Sequence, residues 1–394
     1  MRKHLLVTND FPPKIGGIQN YLWELWRRLP PQTASVYTTP YAGTAEFDTE
    51  QPFYVKRSPE PFLIPYPWLV GRIDSIARET ASELVILDPA IPLGALGPNL
   101  RLPIAVVLHG AEVTIPGRVP ILRSIMARTL RASSLVVSAG RYALSEAERC
   151  AGRSLPSVII PPGVDIDRFQ PLDPDDRLAA RRRLGIDPGA FLIASVNRLV
   201  PRKGMDRLIR AVALTRQRRR AGSRAGGSSD EVQVVVAGVG RDARRLKRLA
   251  ASLRAPVHLP GRLSDDDVAD LYGAADLMVM PCNSRWLGLE QEGFGIAFLE
   301  AAAAGIPQIA GRSGGAHEAV DHRRTGLILD NPDDIEALAR SIEFMIDNPV
   351  ERRRMGHAAR LRAVEEFNYD YLAKQLGDAL ATCELRRPGG NPGR

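Results

Sequence analysis

The sequence predicts an α/β protein made of two doubly wound domains. Three observations carry that expectation. Short β-branched and apolar runs alternate with helical stretches along the chain, which is the pattern of a parallel sheet covered on both faces. The alternation occurs twice, on either side of a proline-rich break at Pro161–Pro171. At 394 residues the chain exceeds what one ordinary core accommodates.

The first set of strands is expected at Leu5–Thr8, Ala34–Thr38, Leu84–Leu87, Ile104–Leu108, Leu135–Ser138 and Val158–Ile160. The second set is expected at Phe191–Val196, Val232–Ala237, Val257–Leu259, Leu277–Met280, Gln308–Ala310 and Gly326–Leu329. Each is an apolar run too short for a helix and bounded by turn residues. Helices are expected at Ile18–Leu29, at Arg177–Leu184 and after Phe367. These elements divide the chain into domains at 1–165 and 166–366, followed by a terminal helix and a disordered tail over 367–394.

Hydrophobic residues make up 44% of the chain and charged residues 25%, ordinary for a globular protein. No apolar run reaches the ~18 residues of a membrane span, and the start MRKHLLVTND runs straight into a strand rather than a leader. The three cysteines, Cys150, Cys282 and Cys383, lie far apart without a CxxC, and the six histidines form no HExxH pair. A cytoplasmic protein without a resident metal or cofactor is therefore expected.

The net charge of +8 is unevenly spread. Residues 113–141 hold Arg118, Arg123, Arg128, Arg131 and Arg141 and no acid. Within them Pro120–Arg131 reads as an amphipathic helix with Ile121, Leu122, Ile125, Met126 and Leu130 on one side. Such a helix at 118–131 either lies on an anionic membrane or packs on the core with a solvated basic face. A second basic stretch, Arg216–Arg224, opens a low-complexity Arg/Gly/Ser insertion over 216–229, read as a loop without a role.

In open α/β sheets ligands bind beyond the carboxyl ends of the strands, and the chemically informative residues fall there. Gly16 and Gly17 follow the first strand and precede a helix, so backbone N–H groups can approach a phosphate at the positive end of the helix dipole. The spacing is neither a Walker nor a dinucleotide pattern. His109 directly follows the strand Ile104–Leu108 and can donate to a sugar hydroxyl or act as an acid or base. Arg198 and Lys203 lie in the turn after Phe191–Val196, where two cations can clamp a diphosphate without a metal; Arg202 is ambiguous. Gly238 and Gly240 form half of a GxGxxG, and Gly261-Arg262-Leu263 is a candidate base-contact loop. Glu292-Gly293-Phe294-Gly295 leads into an apolar run ending at Glu300. The spacing of eight places Glu292 at the mouth of a helix and Glu300 two turns in, suited to gripping the hydroxyls of a nucleotide sugar beside its phosphates. Asp165 and Asp167 mimic a metal-binding DxD but fall in the linker, where they read as turn chemistry.

Together these motifs resemble the retaining GT-B glycosyltransferases of family four. Gly16-Gly17, His109-Gly110, Arg198 with Lys203, and Glu292 with Glu300 occur in the family's order over nearly the whole chain. Longer stretches, from Thr8 to Gln19, from Pro162 to Phe169 and from Arg198 to Gly204, are similar to the group acting on phosphatidylinositol mannosides. The resemblance implies two facing Rossmann-like domains, a GDP-mannose donor held by the C-terminal one, and a glycolipid acceptor held mainly by the N-terminal one. It implies that Arg198 and Lys203 bind the donor phosphates, Glu300 the ribose and Glu292 the transferred sugar. Gly293, Phe294 and Gly295 accompany Glu292 at the donor, Gly17 meets the phosphate, His109 lies next to the sugar, and Asp10 and Gln19 face the acceptor. This group often carries a second histidine where the present chain has Ala111.

Retention of configuration is open to double displacement, for which Glu292 is the candidate nucleophile, or to same-face attack in which the leaving phosphate takes the acceptor proton. Same-face attack is favoured, because a carboxylate at a helix mouth suits sugar hydroxyls. A family-four hexosyltransferase using a UDP-glucose-type donor and a soluble or lipid-linked glycan is the alternative within the class. A dinucleotide oxidoreductase lacks its complete GxGxxG, and a non-catalytic membrane-binding protein has no need of the four motifs. No nucleic-acid partner is expected, and oligomeric state is not legible.

Overall fold

The computed structural model describes residues 1–222, 231–285 and 290–387. Residues 223–230, which include the end of the insertion, Trp286–Leu289 and the tail from residue 388 lie outside the described residues. The chain divides into two compact units, Met1–Gly163 with Tyr369–Arg394, and Val164–Asn368.

Unit 1 contains β1 His4–Thr8, β2 Ala34–Thr38, β3 Tyr54–Arg57, β4 Leu84–Asp88, β5 Ile104–Leu108, β6 Leu135–Ser138 and β7 Ser157–Ile159. They form one parallel sheet in the order β3-β2-β1-β4-β5-β6-β7. Inner strands such as HLLVT in β1 and IAVVL in β5 are buried at every residue, so both faces need covering. One face is covered by a cluster around Leu69, Ile73, Met126 and Leu130. The other is covered by Tyr21, Leu22, Leu25 and Trp26 of the helix Gly17–Trp26, joined by Leu372, Leu376 and Leu380 of the terminal helix Tyr369–Thr382. β3 has no counterpart among the expected strands. It is an edge strand reading YVKR, exposed or half-buried at every position, and lacks the apolar run that marks its neighbours.

Unit 2 contains β8 Phe191–Val196, β9 Val232–Ala237, β10 Val257–Gly261, β11 Leu277–Met280, β12 Gln308–Gly311 and β13 Gly326–Leu329. They form a parallel sheet in the order β10-β9-β8-β11-β12-β13 around one apolar core. Each sheet therefore changes direction once, between β1 and β4 and between β8 and β11.

Two local expectations are corrected, the loop from Arg216 and the start of the Glu300 helix, and the helix at 118–131 shows how its stripe divides. The basic stretch from Arg216 is not a loop at its start: residues to Gly222 continue the helix Met205–Gly222. Arg218 pairs there with Glu336 and Glu343, and Arg219 with Asp347, so part of the block has a structural role. On the helix Pro120–Ala132 only Met126, Ala127, Thr129 and Leu130 are buried. Ile121 is 75% exposed, and Leu122 and Ile125 also face outward, so half of the apolar stripe does not reach the core. The helix leading to Glu300 begins at Ile296, with Gly295 as its left-handed cap at φ 92°. Glu300 is thus little more than one turn in, and Glu292 stands on the loop before it. Asp165 does serve a turn, accepting from the N–H groups of Asp167 and Arg168 at 3.1 and 3.0 Å.

Candidate active site

In unit 2 the residues flanking the change of direction come from two loops. β8 ends at Val196, and Arg198 follows on the surface. A short 3₁₀ turn, Pro201–Lys203, then folds Lys203 inward. That turn packs tightly on the segment after β11. Gly204 is left-handed at φ 74°, and a Cβ there would lie 2.1 Å from the Pro281 carbonyl oxygen, so no other residue fits without displacing the backbone. Asn283 N–H donates to the Arg202 carbonyl at 2.9 Å, fixing the two loops together.

The outcome is a buried ion pair. Lys203 Nζ lies 2.8 Å from Glu292 Oε2, with each side chain 10% exposed. Arg202, which sequence left ambiguous, turns inward: it lies 3.6 Å from Glu292 and 3.7 Å from Glu290. Burial would raise the Glu292 carboxyl, but Lys203, Arg202 and Arg198 together hold it below the usual carboxylate range. Gly315, on the loop after β12, donates its N–H to the Glu292 carbonyl at 3.0 Å. That Gly314-Gly315 step follows a strand just as Gly16-Gly17 does, and was overlooked in the sequence.

Glu300 behaves oppositely. Burial pushes its carboxyl up to about 7, and the charges of Arg168 and Lys203 compensate only partly. Tyr272, buried in the core, senses Glu300 as well, and its hydroxyl is pushed up by burial first and by that carboxylate second. Neither Arg168 nor Tyr272 was singled out from sequence, because each reaches Glu300 from a distant segment. Of the remaining residues, Phe294 turns its ring into the core, 5.8 Å from Phe367, so it can offer a ligand only its backbone. Gly293 is exposed on the same loop. Gly261 ends β10, Arg262 is exposed, and Leu263 packs on the core. Gly238–Gly240 is bound to the Arg198 loop through Leu199 N–H to Val239 O at 2.9 Å and Asp242 N–H to Leu199 O at 3.0 Å. Its glycines are thus accounted for by loop packing.

In unit 1 the corresponding place is where β1 and β4 pair, with Thr8 opposite Asp88 in register. Asp10 follows β1 and accepts from Lys14 Nζ at 2.8 Å and Gln19 Nε2 at 2.5 Å. A Cβ on Gly16 would lie 2.1 Å from Gln19 Oε1, so the glycine leaves room for the Gln19–Asp10 contact. Gly17 opens the helix with an exposed backbone. His109, after β5, donates through Nε2 to Asp88 Oδ1 at 2.6 Å. Burial alone would lower this imidazole, yet Asp88, with Glu112 and Asp10, lifts it to about 9. A group protonated throughout the neutral range is a hydrogen-bond donor and a fixed positive charge, not a general base. Asp88 was not recognised in the sequence, since an acid ending an apolar strand reads as the strand's terminus.

Two parallel α/β units, with charged side chains on the loops at the carboxyl ends of their strands, are the architecture of the GT-B glycosyltransferases. The solved structures agree in fold: Anabaena Alr3699/HepE in complex with UDP superimposes with a TM-score of 0.79 at 21% identity, covering 96% of this chain and 100% of that one. Sucrose-phosphate synthase from Thermosynechococcus elongatus gives 0.74 at 20% identity over 97% and 98%. The model of Glycosyltransferase Family 4 matches residues 15–168, and that of Glycosyl transferases group 1 matches 176–362. Among curated relatives, the GDP-mannose-dependent alpha-(1-6)-phosphatidylinositol monomannoside mannosyltransferase of Mycobacterium tuberculosis is 35% identical, covering 98% of this chain and all of the relative. The monoacylated-substrate counterpart from Corynebacterium glutamicum is 33% identical over 96% and 98%. The chain belongs to glycosyltransferase family 4.

Proposed function

We propose that this enzyme transfers mannose from GDP-mannose to a phosphatidylinositol mannoside-type glycolipid, with retention of configuration. The observation that carries the reading is the end-to-end likeness to mannosyltransferases of that specificity, 35% identical over 98% of the chain. The buried Lys203–Glu292 pair supports it from the chemical side. A donor diphosphate brings two negative charges that compete with Glu292 for Lys203 and Arg198. Glu292, released from Lys203, is then available to the sugar hydroxyls.

In the proposed step the bond between the anomeric carbon and the β-phosphate oxygen breaks, and GDP takes the electron pair. The acceptor hydroxyl oxygen bonds to the anomeric carbon on the same face, and its proton passes to the departing phosphate. Lys203 and Arg198 stabilise the charge that builds on GDP. Glu300 holds the ribose, and the exposed backbone of Gly17 at its helix N-terminus suits an anionic group. Asp10 and Gln19 meet the acceptor, and His109 donates to the sugar. Its protonated state favours the phosphate as the base.

Contact with an anionic membrane surface belongs to the same reading. Ile115, Val119 and Ile121 are 45%, 42% and 75% exposed, beside the exposed Arg118, Arg123 and Arg128. No helix among the described residues is long and apolar enough to cross a membrane.

A thermal-shift panel of nucleotides and nucleotide sugars tests the donor. A ligand at a hundred times its Kd stabilises the folded state by about 2.7 kcal/mol. GDP and GDP-mannose are expected to raise the unfolding temperature while UDP and UDP-glucose do not. UDP-selective stabilisation overturns the donor assignment.

A further inference from the structure

We propose that Asp88 is a positioning residue for the transfer reaction, tying His109 by Nε2 so that Nδ1–H is the atom offered to the sugar. The argument is geometric. Asp88 is fully buried at the end of β4. Its Oδ1 accepts from His109 Nε2 at 2.6 Å, and its Oδ2 accepts from Thr8 Oγ1–H at 2.6 Å. Thr8 and Asp88 are registered partners on β1 and β4, so the carboxylate is fixed by the two strands at the sheet's change of direction. The imidazole is fixed from its other sides. Tyr21 meets it edge-on at a centroid distance of 5.6 Å, and the Tyr21 hydroxyl is itself tied to the Ile160 carbonyl at 2.8 Å. Glu112 accepts the His109 backbone N–H at 2.5 Å, holding the turn that carries the ring.

His109 is 11% exposed at its side chain, and Nδ1 makes no hydrogen bond among the described residues. With Nε2 occupied, Nδ1 is the ring atom available to a ligand. The charged groups facing the ring are Asp88 from β4, Glu112 from the turn after β5, and Asp10 from the loop after β1. All are acids, and the Tyr21 phenol from the first helix is pushed up by burial and stays neutral. The arrangement therefore favours the imidazolium, and Asp88 is the acid in direct contact.

This inference rests on the reading that His109 touches the sugar, and the experiment separates the two. Steady-state transfer is measured from pH 6 to 10 for the parent, Asp88→Asn, Thr8→Val and His109→Ala, with far-UV dichroism and GDP binding as checks on folding. His109→Ala is expected to lose most activity, and Asp88→Asn to lose at least about 10-fold in kcat, the low end of the scale for removing the acid that orients a metal-bound histidine. The alkaline limb of the Asp88→Asn profile should move at least one pH unit lower, because burial then acts on the imidazole without its counter-charge. Thr8→Val should lower kcat by less without moving the limb downward, because Asp88 keeps its charge and loses only one of the contacts that fix it. In Asp88→Asn the His109 imidazole 15N resonances should show the same displaced midpoint independently of turnover. Full activity in His109→Ala overturns the placement of His109 at the sugar. Loss in His109→Ala with an unshifted limb and resonance in Asp88→Asn overturns the role of Asp88 alone.

Discussion

Replacing Lys203 with alanine should damage stability and catalysis by separable routes. Lys203 lies 2.8 Å from Glu292, and both are nearly buried. Removing one member of a buried pair leaves an uncompensated charge, at a cost of about 3–5 kcal/mol. Arg202 remains 3.6 Å from the same Glu292 oxygen, which places the expected loss near the lower end, about 3 kcal/mol. For a unit of this size that is a fall of roughly 6–12 °C in unfolding temperature. Adding Glu292→Gln removes the orphaned charge, so the double variant should recover most of the loss. Because the Glu292 carboxyl sits below its ordinary value, its stabilising contribution is present above the usual carboxylate range and is lost as pH falls. The gap between Lys203→Ala and the parent should therefore narrow in acid. Turnover should follow a different pattern. Loss of one cation at the developing phosphate charge costs about 10²–10³ in kcat, and the double variant should stay inactive although its fold is restored. Differential scanning fluorimetry and a GDP-release assay on four proteins complete the cycle. Turnover of Lys203→Ala within about threefold of the parent refutes the phosphate role, given that scale. A double variant no more stable than Lys203→Ala refutes the stability argument.

Three further outcomes are expected. Glu300 titrates near 7 when folded against 4.5 in a free chain, so its ionisation weakens the fold as pH rises from 4.5 to 7. Glu300→Gln should accordingly be more stable than the parent at pH 8, by up to about 3 kcal/mol, and equal to it near pH 4, while binding GDP-mannose more weakly; urea unfolding and titration calorimetry read the two effects. Gly16→Ala should push Gln19 off Asp10, since the new Cβ would meet Gln19 Oε1 at 2.1 Å; acceptor KM should rise with little change in GDP affinity, and an unchanged KM counts against the acceptor role of that pair. Ile121→Glu should lower co-sedimentation with anionic vesicles without altering unfolding, because Ile121 is 75% exposed and contributes little to the core.

The sheets were legible in the sequence because their inner strands are buried on both faces. LVILD of β4 and IAVVL of β5 have no polar face to break the run. β3 was not legible for the complementary reason, since an edge strand with Lys56 and Arg57 resembles a loop. The start of the Glu300 helix was misplaced because spacing alone cannot show where a helix is capped; the left-handed Gly295 sets that point. The exposed side of the helix Pro120–Ala132 was hidden similarly. Periodicity identifies an apolar stripe but not how much of it finds a partner.

The position of the site was therefore easier to read than its charge state. Parallel strands send every loop at their carboxyl ends to one edge, so Arg198, Glu292, Asp10 and His109 could be assigned to such edges by counting strands. What each group does depends on its nearest opposite charge, and those neighbours arrive on other strands. His109 alone permits acid, base or donor chemistry; Asp88, one strand away, selects the donor. Glu292 alone permits a nucleophile; Lys203 and Arg202, on the loop after β8, make it a carboxylate already engaged by cations. Both assignments bear on the same step. With His109 a donor to Asp88, and Glu292 engaged by Lys203 or, once donor is bound, by the sugar hydroxyls, neither group is assigned to the acceptor proton or to the anomeric carbon in the proposed step. The leaving phosphate is the base that remains, and same-face attack is accordingly the route we propose.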